Sequence, residues 1–154
     1  MAMHVVEPER AMLHGHFSPD LTPALTIDPA DSVRFRTLDA SWVVKTPTSI
    51  DAEREKVEPR EKGKDGGHCL SGPVAIKGAQ PGMVLEVAIN EIIVGDWGWA
   101  GGWGRPKSER IGVAEDEKCD LFWELDAETM TGESQLGHTI GLRPFMGVMG
   151  MPPA

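Results

Sequence analysis

Apolar and polar side chains alternate along several stretches of this 154-residue chain, and such alternation predicts β-strands with one buried face. Leu25 and Ile27 form the first apolar face, and Val33 and Phe35 form the next. Residues 28–31 between them read Asp-Pro-Ala-Asp, which places Asp and Pro where a type I turn favours them. The pattern therefore predicts a β-hairpin over residues 25–35.

A second hairpin is predicted over residues 74–89. Val74 and Ile76 begin it, glycine and proline at 78–82 supply a turn, and apolar residues at 83, 85, 87 and 89 supply the returning strand. Residues 92–94 read as a buried strand end, and residues 121–125 predict another short strand. Together these patterns predict a mainly β fold. In it, short antiparallel strands and hairpins form a sandwich- or barrel-like sheet arrangement with few helices.

Two segments interrupt the alternation. Residues 48–67 are rich in charge and are broken by Pro59 and by glycines, so we predict a charged, flexible loop there. Residues 95–104 hold three tryptophans and five glycines. Glycine permits sharp turns and indoles supply rigid apolar area, so this segment predicts either an aromatic corner on the sheet or a loop that walls a small-molecule pocket. Trp97 and Trp99 are the candidates for shaping such a pocket.

Length, charge and cysteine content narrow the class of protein. The length predicts a single domain, residues 1–154, with its own hydrophobic core. The net charge of -9, from 24 acidic and 15 basic residues, disfavours nucleic acid and anionic membranes as partners. No apolar run approaches the roughly 18 residues of a membrane span, and the N-terminus does not resemble a signal peptide. Two cysteines, Cys69 and Cys119, are too few for a disulfide framework, so we predict reduced thiols and a cytoplasmic protein.

His68 and Cys69 lie in the glycine-flanked segment 66–73. An imidazole in such a segment binds a metal or moves protons, although an isolated histidine is also commonly a hydrogen-bonded structural residue. Cys69 acts as a nucleophile only where a neighbouring base favours its thiolate. The sequence contains no nucleophile elbow, phosphate-binding loop, dinucleotide-binding fingerprint or zinc-protease motif.

Two aspartates and a histidine pair complete the candidate chemistry. Asp39 and Asp96 each follow a predicted strand, where a carboxylate either lines a pocket rim or caps a turn. His14 and His16 are spaced so that both side chains can chelate one metal ion from a single loop, but no Cys or carboxylate partner stands at ligand spacing. The residues alone thus predict a β-rich domain with a His/Asp pocket.

A series of short runs, none diagnostic by itself, follows in order along nearly the whole chain. They are HGHFS at 14–18, LTI at 25–27, VRFRTLDA at 33–40, GHCLSGPV at 67–74, GAQPGM at 78–83, LEV at 85–87, DWGW at 96–99, QLGHT at 135–139 and RPFMGVMGMPPA at 143–154. In this order they resemble the acetamidase/formamidase family, metal-associated hydrolases of short-chain amides.

The resemblance implies a hydrolase that converts a small amide such as formamide or acetamide to carboxylate and ammonia. It implies that His68, Asp39 and Asp96 face the site and that Trp97 and Trp99 shape the substrate space. It also implies a divalent metal, zinc or calcium, held mostly by residues outside this chain, with His14 and His68 as candidate ligands.

Members of that family are usually much longer and carry a later stretch rich in Asp, His and Glu, which this chain lacks. The resemblance therefore implies the N-terminal part of such an enzyme, acting as a homo-oligomer or together with a complementary C-terminal half. The alternative is a non-catalytic binding or assembly domain that keeps the front fold of the amidase.

Overall fold

The computed structural model describes residues 1–49, 51–103 and 118–152, and the chain divides into two compact units. The first unit comprises Met1–Lys45, Arg54–Ala88 and Val148–Ala154, and the second comprises Thr46–Glu53 and Ile89–Gly147. The prediction of a mainly β fold is confirmed, because strands dominate and Arg10–Met12 forms the one short 3-10 turn in the described ranges. The strands form several small sheets rather than a closed barrel. No helix in these ranges has the length and apolar character needed to cross a membrane.

The first unit contains six short strands joined in pairs. Their bounds are Met3–Val6 (β1), Leu13–His14 (β2), Leu25–Ile27 (β3), Ser32–Phe35 (β4), Leu70–Ser71 (β5) and Val74–Ile76 (β6). β1 pairs with β4 and β3 pairs with β6, both in parallel, whereas β2 and β5 are antiparallel. Each pair thus joins strands that are distant along the chain.

The hairpin predicted over residues 25–35 is wrong in its pairing, although both of its strands and its turn exist. The amide of Asp31 donates to the carbonyl of Asp28 at 3.2 Å, which closes the turn. Beyond it, β4 lies beside β1, and the amide of Ser32 donates to the carbonyl of Ala2 at 2.9 Å. A turn fixes where the chain changes direction, whereas the partner of each strand depends on long-range packing.

The core of the first unit is small and centres on an indole. Leu13, Trp42 and Val57 are buried in contact with one another, and Leu38 and Cys69 pack partly buried against them. The Trp42 side chain donates its ring N–H to the carbonyl of Gly67 at 2.9 Å. The buried ring therefore keeps its polar atom satisfied, as a buried tryptophan requires.

The segment 48–67, predicted as a charged loop, contains no strand or helix among its described residues. It is not wholly solvated, however. Val57 belongs to the core cluster, and Asp65 is only 5% exposed. Lys56 also forms an isolated antiparallel bridge with Val43, so part of this segment packs onto the first unit.

The second unit contains one four-stranded antiparallel sheet. Its strands are Trp97–Trp103 (β7), Lys118–Asp126 (β8), Thr131–Ser134 (β9) and Thr139–Gly141 (β10), in the spatial order β10-β9-β8-β7. The strand predicted over 121–125 is confirmed within β8. The side chain of Gln135 adds to the pairing, because its Oε1 accepts from the amide of Phe122 at 2.7 Å and its Nε2 donates to the carbonyl of Asp120 at 3.0 Å.

The tryptophan-rich segment is a strand, so its prediction as a corner or a loop is wrong. Trp97 and Trp99 alternate along β7, opposite Glu124 and Phe122 of β8. The rings of Trp97 and Phe122 stack with centroids 6.2 Å apart and planes inclined by 14°. Indoles two residues apart lie on the same face of a strand, so cross-strand aromatic packing outweighs the turn tendency of the glycines.

The second predicted hairpin is also not formed, because residues 83–95 adopt no strand. β6 pairs with β3 instead, and the alternating apolar side chains beyond it are exposed, from 43% for Leu85 to 60% for Met83. The buried strand end predicted at 92–94 is also wrong, because Ile93 is 67% exposed. An alternating pattern gives a strand only where a neighbouring backbone completes the hydrogen-bonded ladder. No such ladder reaches this segment within the part of the chain that the structure describes.

Candidate functional site

A cleft of about 240 Å³ opens in the first unit at strand β2. Leu13, Leu21 and Pro73 give it apolar lining. Its polar lining residues are His14, Asp20, Thr22 and Lys64. Pockets for drug-sized ligands occupy ~300–1,000 Å³, so this cleft is smaller than such pockets.

A close backbone approach brings Lys64 to the cleft. The carbonyl of Lys64 accepts from the amide of Gly15 at 2.8 Å and from Nδ1 of His16 at 2.9 Å. A side chain on Gly15 would place its Cβ 2.6 Å from the carbonyl carbon of Asp65. Only glycine lets these two segments, some fifty residues apart in sequence, lie this close.

Contacts of a buried carboxylate hold in place the segment 60–65, which contains Lys64. The Asp65 carboxylate, 5% exposed, accepts from Nη2 of Arg10 at 2.5 Å and from the amide of Glu61 at 2.6 Å. Arg60 lies with its guanidinium carbon 4.0 Å from the centroid of the Trp42 ring, and it also donates to the carbonyl of Asp65. A buried carboxylate held by two cations and a backbone amide leaves the segment 60–65 little freedom.

His14 is the buried titratable group of the cleft, with 4% of its surface exposed. Burial lowers the pKa of this imidazole, and the nearby His16 and Lys64 lower it further, against a hydrogen bond to the backbone of Gly72 that raises it. The ring is therefore neutral at pH 7. Its Nδ1 is buried and has no hydrogen-bond partner among residues 1–49, 51–103 and 118–152.

The first unit also holds two of the predicted catalytic residues. His68 is exposed. Asp39 is half-buried, and its Oδ1 accepts from the amide of Ser41 at 2.9 Å, so it caps the turn that leads to Trp42. Neither residue lines the cleft at His14.

Cys69, beside His68, is an unreactive thiol. Burial raises the pKa of its side chain to about 11, with nearby carboxylates adding to the effect against two arginines. The thiolate is therefore scarce at neutral pH, and a nucleophilic role has no support.

The remaining predicted residues belong to the second unit. Asp96 is exposed, and its carboxylate oxygens lie 3.3 and 3.4 Å from Oγ1 of Thr46, which donates to them. Its carbonyl accepts from the amide of Leu125 at 2.9 Å, extending the β7–β8 ladder. Trp97 and Trp99 are half-buried on β7. The roles in substrate binding and catalysis assigned to these residues by resemblance stay predictions.

Metal ligation was predicted for His14 and His68. Among residues 1–49, 51–103 and 118–152, no three His, Cys, Asp or Glu side chains converge on a point. The described residues therefore do not make a metal site by themselves. That a metal is held mostly outside this chain stays a prediction.

Three cleft residues escaped the sequence analysis, namely Asp20, Thr22 and Lys64. Lys64 stands in a segment whose many charges predict only solvation, and its place in the cleft depends on the contact between Gly15 and residues 65–66. The one local signal was Gly15 between two histidines, which marks a close backbone approach.

Comparison with known proteins relates this chain to one family. Residues 3–154 match the model of the Acetamidase/Formamidase family. A protein of Schizosaccharomyces pombe that carries the name of a formamidase is 33% identical over 96 residues, a match that covers 60% of this chain and 22% of the relative. The solved structure of a gamma lactamase from Delftia acidovorans has a similar fold, with a TM-score of 0.53 and 21% identity over 86% of this chain. The chain spans only 34% of that structure.

Proposed function

Because this chain belongs to the acetamidase/formamidase family, we propose that it serves in the hydrolysis of short-chain amides to carboxylate and ammonia. The observation that carries the proposal is the family match over residues 3–154, which takes in the cleft and both compact units. The named formamidase relative supports the same chemistry. The chain spans only a fraction of the length of these relatives. In this proposal, amide hydrolysis therefore requires this chain together with the part of the relatives that it does not match.

Amide hydrolysis needs an activated water, a polarised carbonyl and a proton for the leaving amine. A divalent metal, zinc or calcium, supplies the first two when bound, and in this proposal most of its ligands come from outside this chain. The described residues contribute binding and orientation. His14 offers a neutral ring and Lys64 offers a cation, both within a cleft too small for large substrates.

The function is tested by measuring ammonia release from formamide, acetamide and propionamide. The purified chain is assayed alone, then with zinc or calcium, and then with the unmatched remainder of a family member supplied as a second polypeptide. The proposal predicts ammonia release in the completed mixture, with an equal amount of carboxylate. Absence of ammonia in every mixture contradicts it.

A second function is favoured by the exposed apolar residues 83–87 of the first unit. Four of these side chains are exposed large apolar groups: Met83, Val84, Leu85 and Val87. Apolar patches of this kind mark assembly surfaces. In this alternative the chain is a non-catalytic assembly domain. Light scattering that shows a self-associated chain with no ammonia release under any condition favours it over the amidase.

The proposal also places the protein in the cytoplasm. Cys69 is a free thiol, which is in keeping with a reducing compartment.

A further inference from the structure

Residues 83–88 of the first unit form a stretch of backbone without a hydrogen-bonded neighbour. Met83 still donates its amide to the carbonyl of Gln80 at 3.1 Å, which closes the turn after β6. In residues 84–88, no backbone N–H or C=O bonds to another group within the part of the chain that the structure describes. A row of unpaired backbone groups at the surface is a template to which a further strand can add.

The side chains of this segment are those of a strand with a partner. Met83, Leu85 and Val87 occupy alternate positions, so in a strand they would lie on one face. Val84 would lie on the other face, and it is 93% exposed. Neighbouring apolar groups that remain exposed mark binding surfaces. Backbone and side chains of residues 83–88 therefore both match the addition of one strand.

Charge distinguishes the strands that can pair here. Glu86 is exposed and has no ion-pair partner among the described residues. Two copies of this segment, paired in register in parallel or antiparallel about Glu86, would oppose like carboxylates, which is destabilising. The net charge of -9 adds repulsion between copies. A strand with a basic side chain opposite Glu86 is attracted instead, so the charge favours a different chain over a second copy.

The lengths of the relatives indicate a source for such a strand. The chain spans 34% of the lactamase structure and 22% of the formamidase relative, so most of each has no counterpart here. We propose that residues 83–88 pair, as one strand, with an apolar β-strand that carries a basic residue opposite Glu86. This strand belongs to the complementary polypeptide that completes the amidase, a choice of partner that rests on the proposed function.

The docking surface lies on the unit that contains the cleft. Residues 83–88 follow β6 after one turn, and β6 is paired with β3 in the same unit. A strand added at residues 83–88 is therefore attached to the unit that carries His14 and Lys64. The complementary polypeptide is in this way joined to the substrate-binding part of the chain by backbone hydrogen bonds.

The test is hydrogen exchange of the whole chain, alone and mixed with the unmatched remainder of a family member. In the free chain, the amides of residues 84–88 should exchange as freely as those of an unstructured peptide. In the mixture they should slow by at least about tenfold, because strand pairing protects them. Association that leaves these amides unprotected, or no association, overturns the proposal. Protection in the chain alone, with a dimer in light scattering, overturns it in favour of a second copy.

A pair of charge-reversal variants tests the contact at Glu86. Glu86→Lys should weaken association with the remainder by roughly fivefold at low salt, because it opposes two cations across the strands. Glu128→Lys is the matched control, since it changes the net charge equally at an exposed position in the turn after β8, and it should leave association unchanged. The difference should shrink in about 1 M salt, where charges are screened within ~3 Å. Equal affinities of the two variants at low salt refute the role of Glu86.

The two proposals fail separately. Ammonia release by the mixture without protection of residues 84–88 supports the amidase and overturns this docking surface. Protection of these residues on association, with no ammonia released from any amide, supports the docking surface and contradicts the amidase function.

Discussion

Replacing Gly15 by alanine is expected to destabilise the first unit and to displace Lys64 from the cleft. The added Cβ would lie 2.6 Å from the carbonyl carbon of Asp65, 2.8 Å from the amide nitrogen of Gly66 and 2.9 Å from the Cα of Asp65. All three atoms belong to the backbone, so no side chain can rotate away to relieve the contact. The two segments must separate.

The cost follows from what the separation breaks. Forcing a methyl group into a packed region costs typically ~1–3 kcal/mol. Separation also weakens the hydrogen bond from the amide of Gly15 to the carbonyl of Lys64, 2.8 Å long and worth about 1 kcal/mol. The sum, ~2–4 kcal/mol, is a large part of the ~5–15 kcal/mol by which domains are usually stable.

Gly66→Ala is the matched control, because nothing lies within 4 Å of a Cβ at that position. Alanine there restricts the unfolded chain, so stability should stay level or rise by up to ~1 kcal/mol. Urea unfolding followed by tryptophan fluorescence measures both variants, since Trp42 is buried in the core of the same unit. A Gly15→Ala chain within about 0.5 kcal/mol of wild type, or a Gly66→Ala chain that loses as much, refutes the close approach.

Three further predictions concern single groups. In a Cys119→Ala background, Cys69 should react with a disulfide reagent at pH 8 on the order of a hundredfold more slowly than an exposed thiol, because its pKa is raised to about 11. Labelling of Cys69 at the rate of an exposed cysteine would contradict this prediction. The lowered pKa of His14 means that the unfolded chain binds its proton first as pH falls. Stability that is fully present above the unfolded pKa of 6.5 should therefore decline below it, by at most about 1.4 kcal/mol per pH unit, and His14→Asn should abolish that part of the slope in urea unfolding. Gln135→Ala removes two hydrogen bonds to the backbone of β8 and should lower the free energy of unfolding by ~1–2 kcal/mol. The control Glu128→Ala, at an exposed position in the turn after β8, should lower it by less than about 0.5 kcal/mol. Equal effects of the two variants on the unfolding midpoint would contradict the role of Gln135.

Strand positions could be predicted from the sequence better than strand partners. The alternation of Leu25 with Ile27 and of Val33 with Phe35 places both segments in strands, as observed. It does not determine their neighbours, because a period of two defines only which face is apolar. The parallel pairing of β3 with β6 depends on residues 49 positions apart, such as Leu25 beside Val74.

The tryptophan-rich strand was predictable in principle. Trp97 and Trp99 are two residues apart, which is the spacing of one strand face. The five glycines of residues 95–104 led instead to the prediction of an aromatic corner or a loop. Cross-strand stacking of Trp97 on Phe122 supplies the interaction that the local sequence does not show.

The cleft was harder to predict than the fold. His14 was recognised as a chemical candidate, but its burial depends on tertiary packing, and the place of Lys64 in the cleft depends on the contact at Gly15. Neither follows from a pattern that the segments involved share in sequence. The family resemblance, by contrast, rested on runs spread over the whole chain, and the match over residues 3–154 confirms it.

The central claim is that this chain serves in the cleavage of the C–N bond of small amides. The most direct measurement follows acetamide labelled with ¹³C at its carbonyl carbon by NMR, in the presence of the chain, zinc and the unmatched remainder of a family member. We expect the carbonyl signal of acetamide to be replaced by that of acetate, with ammonium formed in equal amount. An acetamide signal that persists unchanged, while the two polypeptides are shown to associate, would contradict the claim.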